Sequence, residues 1–104
     1  MTKAQLLAQV KTTVRKIEPD ADVLLFGSHA RGRATPASDW DFLILINGPV
    51  DAARTARLRR QLYKVEWDSG EVLCSIVRNR RQWHSRRMRA TPLYRNVVRE
   101  GIAL

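Results

Sequence analysis

The chain has 104 residues, 44% of them hydrophobic and 28% charged, the balance of a soluble globular protein rather than a disordered one. One cysteine, Cys74, excludes an intrachain disulfide framework and a Cys-rich zinc site, and no apolar run approaches the ~18 residues of a membrane span. Nineteen Lys and Arg against ten Asp and Glu leave a net charge of +9. This length suits one domain over residues 1–104 with one modest core. Lys3, Lys11, Arg15 and Lys16 interrupt the apolar residues of Met1–Ile17, so the expectation is a cytoplasmic protein without a signal peptide.

Thr2 reads as the cap of a helix presenting Leu6, Leu7, Val10, Val14 and Ile17 on one side, with Pro19 just past its end. Asp20–Ala21–Asp22 turns into an apolar strand over Val23–Phe26, which Gly27 and Ser28 end. Residues 29–38 are polar and broken by Gly32 and Pro36. Trp40–Ile46 is a second, strongly apolar strand closed by Asn47–Gly48–Pro49. Between Val50 and Trp67 two periods compete: Leu58, Leu62 and Val65 follow helical spacing, whereas Tyr63, Val65 and Trp67 alternate like a strand. The Arg and Ala residues of 52–61 favour a helix that frays near Asp68–Ser69–Gly70. Val72–Val77 is a third strand, and Trp83 begins a short basic helix. Thr91–Pro92 reads as a cap with proline at the first helical position, Leu93, Tyr94, Val97 and Val98 facing inward and Gly101 ending the helix. The order implies a small α/β (α+β) domain, a short sheet flanked by helices.

The segment with chemical content is Gly27-Ser28-His29-Ala30-Arg31-Gly32, followed by Ser38-Asp39-Trp40-Asp41. A strand ending in Gly-Ser delivers the chain into a tight turn whose backbone N–H groups can approach an anion, and the Ser28 hydroxyl can donate to a phosphate oxygen. Asp39 and Asp41, two apart at the start of a strand, project from one face with about 7 Å between their Cα atoms. Paired acids repel unless a cation lies between them, and their hard oxygens suit Mg²⁺, which completes its octahedron with waters and substrate phosphates. A phosphate cradle beside a carboxylate-held metal is what phosphoryl or nucleotidyl transfer requires.

This block, Gly27-Ser28-x-Ala30-Arg31-Gly32 with Ser38-Asp39-x-Asp41-Phe42-Leu43-Ile44, resembles the signature of the polymerase-beta-like nucleotidyltransferases. The short length is similar to that of the minimal nucleotidyltransferases. A looser likeness extends to Trp83, Thr91-Pro92-Leu93-Tyr94-Arg95-Asn96 and Glu100-Gly101-Ile102. The resemblance implies a nucleotidyltransferase-like fold with a mixed central sheet. It also implies nucleotide binding by Gly27, Ser28, Arg31 and Ser38, and two Mg²⁺ (or Mn²⁺) held by Asp39 and Asp41. The implied reaction moves a nucleoside monophosphate, AMP by expectation from ATP, to a hydroxyl on a partner. The implied partner is an all-helical HEPN-type protein, with this chain as the antitoxin of the pair. The family's usual third carboxylate, on the next core strand, has no counterpart in Val72–Val77: Cys74 or Ser75 occupies that position, with Glu71 or Asp68 as the nearest substitutes.

The remaining residues read more plainly. His29 sits in the turn without the pattern demanding it, and Cys74 reads as a small buried hydrophobe. His84 reads as surface, and Tyr94 as core. Charge is lopsided: residues 1–52 are neutral, whereas 53–104 hold thirteen bases and four acids, so the whole +9 lies there. No acid intervenes between Glu71 and Glu100. The stretch Arg78–Arg99 would attract a polyanion, either nucleic acid or an acidic protein. Two alternatives to the enzyme follow: a weak or inactive antitoxin acting by contact, and an RNA-binding module. A chain this short leaves the acceptor site to another chain, either a partner protein or a second copy in a homo-oligomer.

Overall fold

A computed structural model describes all 104 residues. Helix α1 (Lys3–Ile17) starts where Thr2 and Gln5 exchange side-chain hydrogen bonds with each other's backbone N–H groups, and Arg15 and Lys16 favour its last turn electrostatically. Strand β1 (Asp22–Phe26) leads to the single turn α2 (Ser28–Arg31), an irregular stretch, and strand β2 (Trp40–Ile46). Helix α3 (Ala52–Ser69) is capped by the Asp51 side chain and ended by Gly70 in the left-handed conformation. Strand β3 (Leu73–Asn79) is followed by the short helices α4 (Arg80–Trp83) and α5 (Arg86–Arg89), then α6 (Pro92–Glu100) and strand β4 (Ile102–Ala103).

The sheet is mixed, in the order β3-β2-β1-β4. Strand β1 runs antiparallel to both neighbours, and β2 runs parallel to β3 through the α3 crossover. Strand β2 lies between two strands and under helices on both faces, so its run from Phe42 to Ile46 is continuously apolar and buried. Trp40, Phe42, Ile44 and Ile46 face α1 and α3, joining Leu6, Val10, Val14, Leu58, Leu62 and Val65 in a core of fourteen buried residues. Leu43 and Leu45 face the other way and bury only Trp83 and Val97 with them, beneath Met88, Leu93 and Tyr94. A cleft of ≈ 350 Å³ remains there, between Leu24, Leu45, Trp83, Tyr94 and Val97.

Two arginines tie the connections down. Arg54 donates to Glu18 and to the carbonyls of Asn47 and Pro49, joining the end of α1 to the start of α3; the Glu18 carboxylate raises its already high pKa. Arg80 donates to Asp22 at 3.0 Å and also reaches Asn47 and the Asp20 carbonyl. No helix is long and apolar enough to cross a membrane.

The expected mixed sheet flanked by helices is the architecture found, with local corrections. Helical spacing wins over 52–69: Leu62 and Val65 point to α1, while Tyr63 and Trp67 stand 63% and 86% exposed. Strand β3 starts one residue later than expected and runs to Asn79, because each residue from Leu73 to Asn79 pairs with one of β2. Trp83 closes a helical turn instead of opening one. Val98 points outward, 65% exposed, although Leu93, Tyr94 and Val97 face inward. The two-residue β4 carried no sequence signal; it exists because β1 offers an open edge.

Candidate active site

The predicted residues meet where β1 ends and β2 begins. Phe26 pairs with Asp41 across the antiparallel ladder, so the Gly27–Ser28 bend lies beside the first turn of β2. Gly27 has φ +77° and ψ −160°, a region essentially closed to side chains, and a Cβ there would stand 2.2 Å from Asp41 Oδ2. Glycine is therefore required on two counts: conformation, and room for the carboxylate.

Strand alternation puts Asp41 on the face of Leu43 and Leu45, the thinly covered side of the sheet. Asp39, two residues earlier, is exposed at the same edge. The Asp41 carboxyl is pushed above the ordinary carboxylate range, first by burial and then by the Asp39 charge; His29 and Arg31 oppose this and Glu100 adds to it. Burial and the neighbouring Asp39 charge both disfavour the Asp41 carboxylate, a cost that a bound cation would relieve. No three His, Cys, Asp or Glu side chains converge to hold a metal ion by themselves. Two hard carboxylates with open positions fit Mg²⁺, which keeps waters and takes substrate phosphates as its other ligands.

Around the acids the loop is built firmly. The His29 ring stacks on Trp40 with centroids 3.4 Å apart, and its Nε2–H donates to the Ser38 carbonyl at 3.1 Å. Packing and loop closure thus account for this histidine. The Ser38 hydroxyl accepts from the Thr35 N–H at 2.9 Å, within its own turn. Ser28 is half-buried at the start of α2, and Arg31 ends that turn. The structure therefore brings Gly27, Ser28, Arg31, Asp39 and Asp41 together, and holds the Ser38 side chain in the loop beside them.

On β3, Cys74 is the register partner of Asp41, and Ser75 that of Phe42 on the opposite face. Cys74 is thus the residue next to the acids. It is exposed rather than buried as expected, because β3 is an edge strand. Residual burial and the charges of Asp41, Asp39 and Glu66 push its thiol pKa up, keeping it protonated and a poor nucleophile at neutral pH. Neither substitute acid reaches the site. Glu71 accepts from the Trp40 indole N–H at 3.1 Å, on the α1–α3 side, and Asp68 lies by Lys16 and Lys64 in the groove between those helices.

Sequence reading assigned no role to Glu100. It arrives from the end of α6, accepting from the Gly27 N–H at 3.2 Å and from Arg31 at 3.0 Å. Its signals were its place before Gly101 and in the looser likeness at Glu100-Gly101-Ile102; the 73-residue separation from Gly27 hides the contact.

The basic cluster also divides. Arg80 is consumed internally, Arg78 donates to the Val77 carbonyl and Arg99 to Asn96. Arg81, Arg86, Arg87, Arg89 and Arg95 are exposed, with no hydrogen bond or ion pair from their side chains.

Comparison with known proteins bears on the family and the fold. A probable protein adenylyltransferase, MntA, of Haemophilus influenzae is 39% identical over 57 residues, 55% of this chain and 50% of that protein. The chain spans about half the length of this curated relative. A crystal structure described as a toxin-antitoxin with AMP-PNP superposes with a TM-score of 0.65 at 19% identity, covering 92% of this chain and 69% of the other; that likeness is one of fold. The nucleotidyltransferase domain model matches residues 7–103, nearly the whole length, and the chain belongs to that family.

Proposed function

We propose that this chain binds a nucleoside triphosphate, ATP by preference, and transfers its nucleoside monophosphate to a hydroxyl on a partner protein, serving as the antitoxin of a toxin-antitoxin pair. The observation that carries the reading is the Asp41 carboxylate packed against a bend that only glycine can form, with Asp39 exposed at the same edge. The adenylyltransferase relative supports the reaction type, and the toxin-antitoxin neighbour supports the setting. The family resemblance points to an all-helical HEPN-type partner.

Asp39 and Asp41 would hold Mg²⁺, with Mn²⁺ as the alternative. Bound there, the ion supplies neutralisation of triphosphate charge. Gly27 leaves room at the bend for the Asp41 carboxylate, Ser28 donates its hydroxyl to a phosphate oxygen, and Arg31 offsets charge that develops on the departing pyrophosphate. Ser38 keeps the loop closed over this edge. Cys74, protonated beside Asp41, is no base, so the acceptor's proton leaves to water or to a group on the acceptor chain. The open edge at Asp39 suits an acceptor presented by another protein.

Incubation with labelled ATP, Mg²⁺ and the protein encoded next to it tests the reading. Label should appear on the partner and fall on the order of a thousandfold or more in Asp39→Ala/Asp41→Ala. Transfer that persists in the double variant sinks it. A second reading, an antitoxin acting by contact alone, is favoured by Cys74 at the Asp41 register and by five unpaired arginines. It expects the same double variant to neutralise its partner fully. RNA as the true ligand would show instead as binding that falls steeply with salt.

A further inference from the structure

We propose that Glu100 is a positioning residue that clasps both ends of the α2 turn and so sets the shape of the nucleotide-binding bend from the far end of the chain. The inference rests on the nucleotidyltransferase reading for its ligand, though not for the clasp itself. Gly27 is the residue before α2 and Arg31 is its last. One carboxylate holds both: Oε1 accepts from the Gly27 N–H at 3.2 Å and from Arg31 Nη1 at 3.0 Å, while Oε2 accepts from the same Nη1 at 3.2 Å. The Glu100 side chain is only 9% exposed, so these bonds are poorly replaced by water.

The delivery of Glu100 is itself constrained. Helix α6 ends at Glu100, and a Cβ on Gly101 would stand 2.4 Å from the Val97 carbonyl oxygen, so the sharp exit needs glycine. The next residue, Ile102, pairs with Leu25, two residues before Gly27. Strand β4 thus pins Glu100 beside the bend. The four-residue α2 has too few internal hydrogen bonds to hold its own shape, so an outside anchor is needed.

A neutral acceptor would serve a purely structural link at less electrostatic cost, because the Glu100 charge works against Asp41. What the charge adds is a fixed place for the Arg31 guanidinium. Without it Arg31 is free to swing toward Asp41, whose charge it already offsets, and would compete there with a cation. Clasping the turn and restraining Arg31 are one function of one carboxylate.

The test compares the wild type with Glu100→Ala and Glu100→Gln, reading amide hydrogen exchange over residues 27–32 and the Kd for AMP-PNP with Mg²⁺. In Glu100→Ala the 27–32 amides should exchange about tenfold faster or more, and the Kd should rise about tenfold. Glu100→Gln keeps an acceptor for the Gly27 N–H and should lie between the two, and it carries the test if the alanine variant folds poorly. A role in stability alone would lower Tm and leave the Kd of the folded protein unchanged, which overturns the proposal. Unchanged exchange in both variants overturns it as well. If the wild type binds no AMP-PNP while Glu100→Ala still loosens residues 27–32, the clasp stands and the nucleotide reading fails.

Discussion

The two faces of the sheet differ in depth, and the difference explains where the acids sit. Under α1 and α3, fourteen buried residues form a continuous core; on the face under α4–α6 only four are fully buried, and a cleft of ≈ 350 Å³ remains. Trp40 and Asp41 are adjacent in sequence, yet the first is sealed beneath the helices while the second stands at an open rim. Strand alternation alone separates a core residue from a candidate site residue. Stability comes mainly from the thick face, which leaves the thin face free to hold charges that oppose one another.

That division can be broken at graded points. The largest effect belongs to the thick face: Phe42→Ala, at a fully buried position, should cost about 3–5 kcal/mol, read as a lower urea midpoint. A loss below about 1 kcal/mol would mean the two faces share the load more evenly than their burial says. Next comes Gly27→Ala, which meets both a closed backbone region and Asp41 Oδ2. It should cost about 1–3 kcal/mol and abolish AMP-PNP binding; binding within twofold of wild type would show that the bend is not the phosphate site.

The smallest shift carries the opposite sign. Asp41 has a raised pKa in the folded chain, so the native state holds its proton more tightly than the unfolded one. Stability from this group is present at low pH and is lost as pH rises through the folded pKa. Asp41→Asn removes that loss. After allowance for solvent screening at a half-open site, Tm at neutral pH should increase by about 2–4 °C while any transfer activity disappears. Below the unfolded pKa the two proteins should melt alike. A variant less stable than wild type at neutral pH would show that the acids are not in electrostatic conflict.

Much of this arrangement was legible in the residue order. The Leu6–Val10–Val14 stripe, the apolar run of β2 and the Thr91–Pro92 cap each carry a local period or a capping rule, and the Gly-Ser and Asp-x-Asp spacing marks the rim. Illegible were features that depend on pairing at a distance. Strand β4 has no pattern of its own, Glu71 is bound to Trp40, and Arg80 leaves the basic cluster to join Asp22. Exposure misled at Cys74, because an apolar run reads as buried whether its strand is central or at an edge.

The residue order by itself determined most of the helices and the three longer strands, and that two acids and a glycine bend lie within twenty residues of each other, since periodicity, capping and turn chemistry act over a few residues. Only the tertiary structure decided that Cys74 stands beside Asp41 and that Glu100 holds Gly27 and Arg31 from the end of α6. Those placements follow from strand register and from the exit angle at Gly101, long-range pairings that leave no local trace in the chain.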